Sequence, residues 1–250
     1  LRLAILNRMG FKNVLVVKEQ DTEDGNFPTV KSPNPEDKEG FEIAIKMAKE
    51  NDVDVIIGTD PDCDRVGIVV RDADGIYRTL TGNQTGALLV EYILSSKKAK
   101  GTLPENGVVI KTIVTTELAA AIAHSYGIEI MNVLTGFKYI GEKMTEFAKT
   151  GDHTYLIGFE ESYGYLQGAF VRDKDAVQAA MMIAEAACWY NSLGRTLYEV
   201  LIDMYEKYGW FEELVISKTL YGREGIEKIQ GAVSTLRKKY PETIGGFHVL

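Results

Sequence analysis

Short apolar runs alternate with helix-like patterns along most of the 250-residue chain, and this alternation is what most limits its fold. Strands that alternate with helices pack as helical layers against a sheet, so the sequence predicts an α/β fold. Four runs are short enough to be buried strands: Val53–Gly58, Val108–Ile113, Ile128–Val133 and Tyr155–Phe159. We expect two consecutive α/β/α units with mixed sheets, plus the start of a third unit.

A hairpin closes the first of these units. Val66–Val70 and Ile76–Leu80 flank the turn sequence Asp72-Ala73-Asp74-Gly75. Asp-Gly between two apolar runs is a strong hairpin signal, because glycine adopts the left-handed conformation that tight turns require. We therefore predict units at residues 1–80 and 81–195, with 196–250 as a linker and the beginning of a further unit.

Three further elements are predicted from local patterns alone. Val14–Val17 has the composition of a buried strand. Asn34-Pro35-Glu36 indicates the start of a helix, with asparagine as N-cap and proline at the first helical position. Trp210–Leu220 has the pattern of a strand, and a final helix is predicted over Glu224–Lys239.

Composition limits the possible partners and the compartment. The net charge is -8 and the sequence pI is near 5.1, which argues against nucleic acid as a partner, because phosphate-backbone binding needs clustered Lys and Arg. Cys63 and Cys188 are too few and too far apart for a disulfide framework. No apolar run approaches the roughly 20 residues of a membrane span. We expect a cytoplasmic protein without a membrane partner. The chain begins at Leu1 in the middle of a helical spacing of apolar residues, so we expect it to be a fragment.

Three carboxylates, those of Asp60, Asp62 and Asp64, directly follow the buried run Val53–Gly58 and its Thr59. Neighbouring carboxylates repel one another by about 4 kcal/mol at an effective dielectric constant of 20. They must therefore extend into solvent as an acidic turn or share a hard divalent cation. A calcium EF-hand is excluded, because its sixth and twelfth loop positions, glycine and glutamate, are Arg65 and Arg71 here.

A second acidic loop follows the strand Tyr155–Phe159. Glu160 and Glu161 stand at the carboxyl end of that strand, where open α/β sheets bind ligands. Carboxylates accept hydrogen bonds from the hydroxyls of a hexose, so the loop is a candidate sugar site. The alternative is a charged loop with a glycine turn. We expect both acidic loops to face a shared cleft.

The first acidic loop resembles the Asp-x-Asp-x-Asp-Arg metal loop of the α-D-phosphohexomutases, the phosphoglucomutase/phosphomannomutase superfamily. This resemblance implies that Asp60, Asp62 and Asp64 hold Mg²⁺. It also implies that Arg65 lies beside the phosphate of an activated serine.

Three later segments resemble other loops of the same superfamily. Gly158–Tyr165 is similar to its sugar loop, which implies that Glu160 and Ser162 contact the sugar. Phe159 stands where other members often have glycine. Thr135-Gly136-Phe137-Lys138 is similar to a loop that changes with the orientation of the sugar, so Thr135, Gly136 and Lys138 are implied in substrate binding. Arg172-Asp173-Lys174-Asp175 resembles a stretch whose lysine lies at the active centre, which implies a catalytic role for Lys174.

The resemblance covers the second and third domains of a four-domain enzyme. It implies an intact parent that interconverts glucose 1-phosphate and glucose 6-phosphate through a phosphoserine and a bisphosphate intermediate. The phosphoserine and the substrate-phosphate loop would come from N-terminal and C-terminal domains of the same chain, so the fragment alone is expected to be inactive. Ser32, in Ser-Pro-Asn-Pro, lacks the histidine that follows the family's phosphoserine.

Other functions are weighed against this one. A phosphomannomutase or a dual-specificity phosphohexomutase fits the same motifs. A stand-alone metal-binding or sugar-binding module remains an alternative of another class. A nucleotide-dependent enzyme is disfavoured, because neither Gly-x-Gly-x-x-Gly after a strand nor a Gly-Lys-Ser/Thr loop is present.

Overall fold

The computed structural model describes residues 2–214 and 218–249. The helices among these residues are α1 (Arg2–Arg8), α2 (Glu42–Asn51), α3 (Gly82–Ala99), α4 (Leu118–Ser125), α5 (Phe137–Thr150), α6 (Ala176–Ser192), α7 (Leu197–Tyr208) and α8 (Gly222–Lys238). The strands are β1 (Val55–Thr59), β2 (Val66–Arg71), β3 (Tyr77–Thr79), β4 (Gly107–Thr112), β5 (Glu129–Val133), β6 (Thr154–Phe159), β7 (Tyr165–Gln167), β8 (Thr243–Ile244) and β9 (Phe247–His248). The α/β class predicted from the sequence is confirmed.

Residues 1–211 form one compact unit, and its described part contains two sheets. The first has the order β1-β2-β3 and is antiparallel, with Ile57 opposite Ile68. The second has the order β5-β4-β6-β7 and is mixed. Its central strand β4 runs parallel to β5 and β6, and β7 runs antiparallel to β6. The carboxyl ends of β4, β5 and β6 therefore lie along one edge, where ligands bind in sheets of this kind.

The predicted hairpin joins β2 to β3. The buried Asp72 accepts hydrogen bonds at Oδ1 from the backbone N–H groups of Asp74 and Ile76, at 3.0 and 2.8 Å. Its Oδ2 accepts another from Arg78 Nε at 2.6 Å. These bonds satisfy the turn amides locally, which is why the Asp-Gly signal in the sequence was sufficient.

One hydrophobic core joins the two sheets. It contains Val66 and Ile68 from β2 together with Val109 from β4 and Ile157 from β6, all nearly inaccessible to solvent. Helices α3, α6 and α7 contribute further residues to this core. The first and second predicted units therefore share a packed interior.

The structure explains why a large residue, Phe159, stands at the end of β6. Its ring is fully buried and stacks on Tyr165 with centroids 6.2 Å apart. Helix α3 presents Gly86 to this ring, and a Cβ at position 86 would lie 2.1 Å from it. Large and small residues at facing positions thus fill this part of the core.

One predicted element is absent, and another begins later than predicted. Val14–Val17 forms no strand: Leu15 within it is 47% exposed, and Val17 packs only partly buried against a small core cluster that contains Phe41 and Val69. The helix predicted from Asn34 begins only at Glu42, after a 3-10 turn over Lys38–Phe41. Asn34 Oδ1 accepts from the N–H of Glu36, and Asp37 caps the 3-10 turn by accepting from the N–H of Glu39. The capping residues close successive short turns instead of starting one helix.

Residues 212–250 form a second compact unit. Its helix α8 agrees with the predicted final helix, and β8 pairs with β9 as a small antiparallel hairpin. The predicted strand Trp210–Leu220 is absent from 210–214 and 218–220, and its residues 215–217 lie outside the described residues. Among the described helices, none combines the length and the apolar character that crossing a membrane would require.

Candidate functional site

The first acidic loop folds around the carboxylate of Asp60, the residue that follows β1. Asp60 is only 5% exposed. Its Oδ1 accepts hydrogen bonds from the backbone N–H groups of Asp64 and Arg65, at 3.1 and 3.0 Å. The turn passes through Cys63 with a φ of 61°, and the N–H of Cys63 donates to the Asp60 carbonyl at 3.2 Å. We call residues 60–65 the metal loop.

The structure brings the three predicted metal ligands together. Asp60, Asp62 and Asp64 each offer one carboxylate oxygen, and these oxygens lie within 4.8 Å of one another. Burial, followed by the hydrogen bond and charge of Asp64, raises the pKa of Asp60 to about 6. Within the described residues, the buried Asp64 Oδ1 accepts no hydrogen bond, although Arg65 Nε lies 3.7 Å from it. The loop therefore holds more negative charge than its own donors neutralise, which suits a bound cation.

Two basic side chains reach the same carboxylates. Arg65 Nε lies 3.3 Å from Asp60 Oδ2, and Arg65 Nη1 lies 3.3 Å from Oε1 of Glu36. Lys174 Nζ lies 2.8 Å from Asp64 Oδ2. Burial alone would lower the pKa of the Lys174 amine, but the hydrogen bond and charge of Asp64 raise it above its ordinary value. Lys174 is therefore a protonated ammonium group that can supply charge or a proton.

A glycine allows Lys174 to reach the metal loop. The lysine stem passes over Gly164, where a Cβ would lie 2.4 Å from Lys174 Cδ. The following residue, Asp175, caps α6 by accepting from the N–H groups of Val177 and Gln178. Ala176 N–H donates to the carbonyl of Cys63 at 3.0 Å. The start of α6 and the metal loop are thus tied directly to each other.

The second acidic loop, residues 160–164, joins β6 to β7, and we call it the sugar loop. Glu160 is 5% exposed and accepts a hydrogen bond at Oε1 from the N–H of Gly136, at 2.8 Å. Burial raises the pKa of Glu160 above its ordinary value, although the Gly136 bond opposes the shift. Gly136 has a φ of 122°, a conformation that other residues rarely adopt, and it stands directly before α5. Glycine at this position therefore lets the start of α5 present its N–H to Glu160.

Glu161 has partners that the sequence did not indicate. Its Oε2 accepts hydrogen bonds from the hydroxyls of Thr112 and Thr115, both at 3.1 Å. Thr112 ends the strand β4 and Thr115 follows it, so a search for polar residues at strand ends could have found them. Glu36, the partner of Arg65, was likewise missed, because it lies 29 residues away in the chain.

The metal loop and the sugar loop lie side by side. Arg65 and Gly164 form an antiparallel bridge, and Val66 N–H donates to the carbonyl of Tyr163 at 3.0 Å. Ser162 is half-buried in the sugar loop. Thr135 and Lys138 remain exposed, and Lys138 Nζ lies 4.9 Å from the centre of the Tyr139 ring. The structure thus gathers Asp60, Asp64, Arg65 and Lys174 with the sugar loop, while Thr135 and Lys138 stay at the surface.

Comparison with known proteins gives a consistent picture. Residues 2–75 match the model of phosphoglucomutase/phosphomannomutase α/β/α domain II, and residues 81–208 match that of domain III. A phosphoglucomutase of Staphylococcus haemolyticus is 37% identical over 246 residues, which cover 98% of this chain and 44% of that protein. A phosphoglucomutase of Staphylococcus aureus strain MRSA252 is 38% identical over 246 residues, which cover 98% of this chain and 43% of that protein.

Solved structures agree on the fold. The crystal structure of a phosphoglucomutase/phosphomannomutase family protein from Burkholderia thailandensis superposes with a TM-score of 0.62 at 20% identity, covering 81% of this chain and 39% of that one. The present chain spans less than half the length of the curated relatives it matches. The family matches cover the second sheet, strands β1 and β2 of the first sheet and both acidic loops, so the chain belongs to the phosphoglucomutase/phosphomannomutase family, the α-D-phosphohexomutases.

Proposed function

We propose that this chain forms the metal-binding and sugar-recognition part of a phosphoglucomutase, an enzyme that interconverts glucose 1-phosphate and glucose 6-phosphate. One observation carries the proposal: the carboxylates of the metal loop lie together with the ammonium group of Lys174, and the sugar loop that begins at the buried Glu160 adjoins this loop. The relatives at 37–38% identity are phosphoglucomutases, which favours this activity over the alternatives.

Asp60, Asp62 and Asp64 are the proposed ligands of Mg²⁺. Their oxygens are the donors that this hard cation prefers, and Asp64 Oδ1, which accepts no hydrogen bond within the described residues, supports a ligand role. When bound, Mg²⁺ would neutralise charge on the oxygens of a transferring phosphoryl group.

Arg65 and Lys174 are proposed to act on the same phosphoryl oxygens. Arg65 can offer two parallel N–H donors to a phosphate, and Glu36 and Asp60 hold its guanidinium group in place. Lys174 stays protonated beside Asp64, so it would contribute positive charge or donate a proton, but it would not act as a base in this state.

The sugar loop is proposed to bind the hexose. Gly136 occupies one oxygen of Glu160, and a carboxylate can accept further hydrogen bonds from sugar hydroxyls. Ser162 from the same loop, and Thr135, Gly136 and Lys138 from the loop before α5, would complete the substrate contacts. Their exposure or partial burial leaves them accessible to a ligand.

The remaining parts of the reaction are assigned to other segments of a longer protein. A phosphoserine would carry the phosphoryl group between the two positions through a bisphosphate intermediate, and further domains would bind the second phosphate. The predicted division at residue 80 stays a proposal, which the interval between the two family matches, 76–80, supports. The boundary near residue 196 and a cytoplasmic location also stay predictions.

A coupled assay tests the proposal. The full-length protein that contains this sequence should convert glucose 1-phosphate with Mg²⁺ and a bisphosphate activator, and mannose 1-phosphate more slowly. The 250-residue chain alone should show no turnover above a blank without protein. A full-length protein that prefers mannose 1-phosphate would be a phosphomannomutase, and one that converts neither sugar would refute the proposed activity.

A further inference from the structure

Glu161 is half-buried, and its carboxylate is held by a hydroxyl pair at the end of β4. Alternation along an extended segment would direct this side chain away from Glu160, and nothing in the sequence assigns it a partner. In the structure its Oε2 contacts both Thr112 Oγ1 and Thr115 Oγ1 at 3.1 Å. The two hydroxyls also contact each other at 2.6 Å. The two hydroxyls have one proton each to donate among these three contacts. Thr112, Thr115 and Glu161 therefore form a small cooperative hydrogen-bond network.

The hydroxyl pair is itself rigidly supported. Thr112 is fully buried and Thr115 is 3% exposed. The N–H of Thr115 donates to the carbonyl of Thr112 at 3.1 Å, which closes a turn directly after β4. Lys111, a completely buried lysine, donates from Nζ to the Thr115 carbonyl at 2.9 Å and pairs with Glu117 at 2.8 Å. This support gives Glu161 a fixed attachment point on the central strand of the second sheet.

The backbone of the sugar loop is confined on its other side. The carbonyl oxygen of Glu161 lies against Gly82 at the start of α3, where a Cβ would be 2.0 Å from that oxygen. Tyr163 adopts a φ of 68°, and its carbonyl accepts the N–H of Val66. Side-chain and backbone contacts together determine the direction of the loop. They leave the preceding residue, Glu160, with its carboxylate on the N–H of Gly136.

We propose that Glu161 is a positioning residue of the sugar loop: its bonds to Thr112 and Thr115 hold the loop so that Glu160 meets Gly136 and faces the substrate. The assignment of Glu160 to a sugar rests on the proposed function. The positioning of Glu160 by Glu161 rests only on the contacts described above. The network would therefore affect the binding of a sugar phosphate only indirectly, through the orientation of Glu160.

Amide hydrogen exchange of the 250-residue chain tests the positioning without any substrate. Glu161→Gln and the pair Thr112→Val/Thr115→Val should each speed exchange of the Gly136 and Glu160 amides about tenfold, as expected when a hydrogen bond to a charged group weakens. Combining all three changes should add little, because the residues act as one unit. The amides of β4 serve as the internal reference, and the exposed Glu105→Gln serves as the matched control.

The proposal is overturned if the Gly136 and Glu160 amides exchange in Glu161→Gln as they do in Glu105→Gln, or if all amides speed up equally. Should Glu161→Gln not fold, the single variant Thr115→Val decides on the same two amides.

Kinetics of the full-length protein provide the second readout. Glu161→Gln should raise KM for glucose 1-phosphate by about 3- to 10-fold and leave kcat within about twofold. The reason is that a misoriented Glu160 binds the substrate and the transition state more weakly by the same amount. A fall in kcat alone would overturn the positioning role. If the wild-type protein converts no hexose phosphate, the proposed function fails, whereas the exchange experiment still decides the role of Glu161.

Discussion

The metal loop and the sugar loop are built alike, but they obtain their hydrogen bonds from different places. Each joins two antiparallel strands, each begins with an acidic residue that is 5% exposed, and each contains one non-glycine residue with positive φ, Cys63 or Tyr163. Asp60 takes its hydrogen bonds from amides of its own loop. Glu160 and Glu161 take theirs from residues 24 to 49 positions away in the chain.

This difference indicates how the two loops can vary. The hydrogen bonds to the Asp60 carboxylate come from within six residues, so the chemistry of the metal loop is carried by a short motif. The shape of the sugar loop depends on the ends of β4 and β5, so changes in those segments can redirect it without touching its own residues. Metal binding should therefore respond mainly to substitutions within the loop, and sugar recognition also to distant ones.

The largest effect is expected from Asp62→Asn in the metal loop. Asp62 is exposed, so the change removes charge without disturbing the core. Calorimetry on the chain should show Mg²⁺ affinity falling about tenfold or more. In the full-length protein kcat/KM should fall about 100-fold or more, because a catalytic metal contributes several kcal/mol. Asp74→Asn, at an exposed acid in the hairpin turn, is the control. Equal heats from both variants would remove the metal assignment.

Glu160→Gln should have the next largest effect. Glutamine keeps the shape of the side chain and can still accept from Gly136, but the charge-assisted bond to a sugar hydroxyl is lost. Such bonds contribute roughly 1.5–3 kcal/mol, so kcat/KM of the full-length protein should fall about 10- to 100-fold. Mg²⁺ affinity should be unchanged, since the metal loop supplies its own hydrogen bonds. A matching loss of Mg²⁺ affinity would show that the two loops are not independent.

Gly164→Ala tests the contact between the loops. The new Cβ would lie 2.4 Å from Lys174 Cδ, so the lysine stem must move and its ion pair with Asp64 should lengthen. We expect kcat to fall about tenfold, the scale of one charge-assisted contact, with the melting temperature nearly constant. Gly231→Ala in α8, where a Cβ meets open space, is the control. If Gly164→Ala and Gly231→Ala have equal kcat values, the placement of Lys174 does not matter for turnover.

The smallest effect concerns pH and the metal-free chain. Because the pKa of Asp60 in the folded chain is about 6, above its ordinary 3.8, folding favours the protonated form. The contribution of Asp60 to stability is therefore full below about pH 4 and is lost as pH rises through about 6. Mg²⁺ binds the ionised form, so it should raise the melting temperature more at pH 7.5 than at pH 5.

Thermal melts with and without Mg²⁺ measure this difference. Asp60→Asn should remove most of it, because the variant has no proton to release at this position and lacks one of the proposed Mg²⁺ ligands. An equal Mg²⁺ shift at both pH values in the unmodified chain would contradict the raised pKa.

Local signals in the sequence were sufficient wherever one segment satisfies its own backbone. Three kinds of element are found as predicted: the Asp72–Gly75 hairpin, the strands before both acidic loops, and the final helix α8. Local signals failed where contacts with other segments decide whether an element forms. Val14–Val17 has the composition of a strand, but in the described residues no other strand pairs with it. A strand is stable only with a partner, and composition does not provide one.

The sequence by itself determined the α/β alternation, the family and the three carboxylates that converge after β1, because each of these depends on residues close together in the chain. Only the tertiary structure decided that Glu161 bonds to Thr112 and Thr115, that Glu36 holds Arg65, and that Lys174 crosses Gly164 to reach Asp64. These contacts join segments that are far apart in sequence. They form because packing α3 and α6 against both sheets brings those segments to the same place.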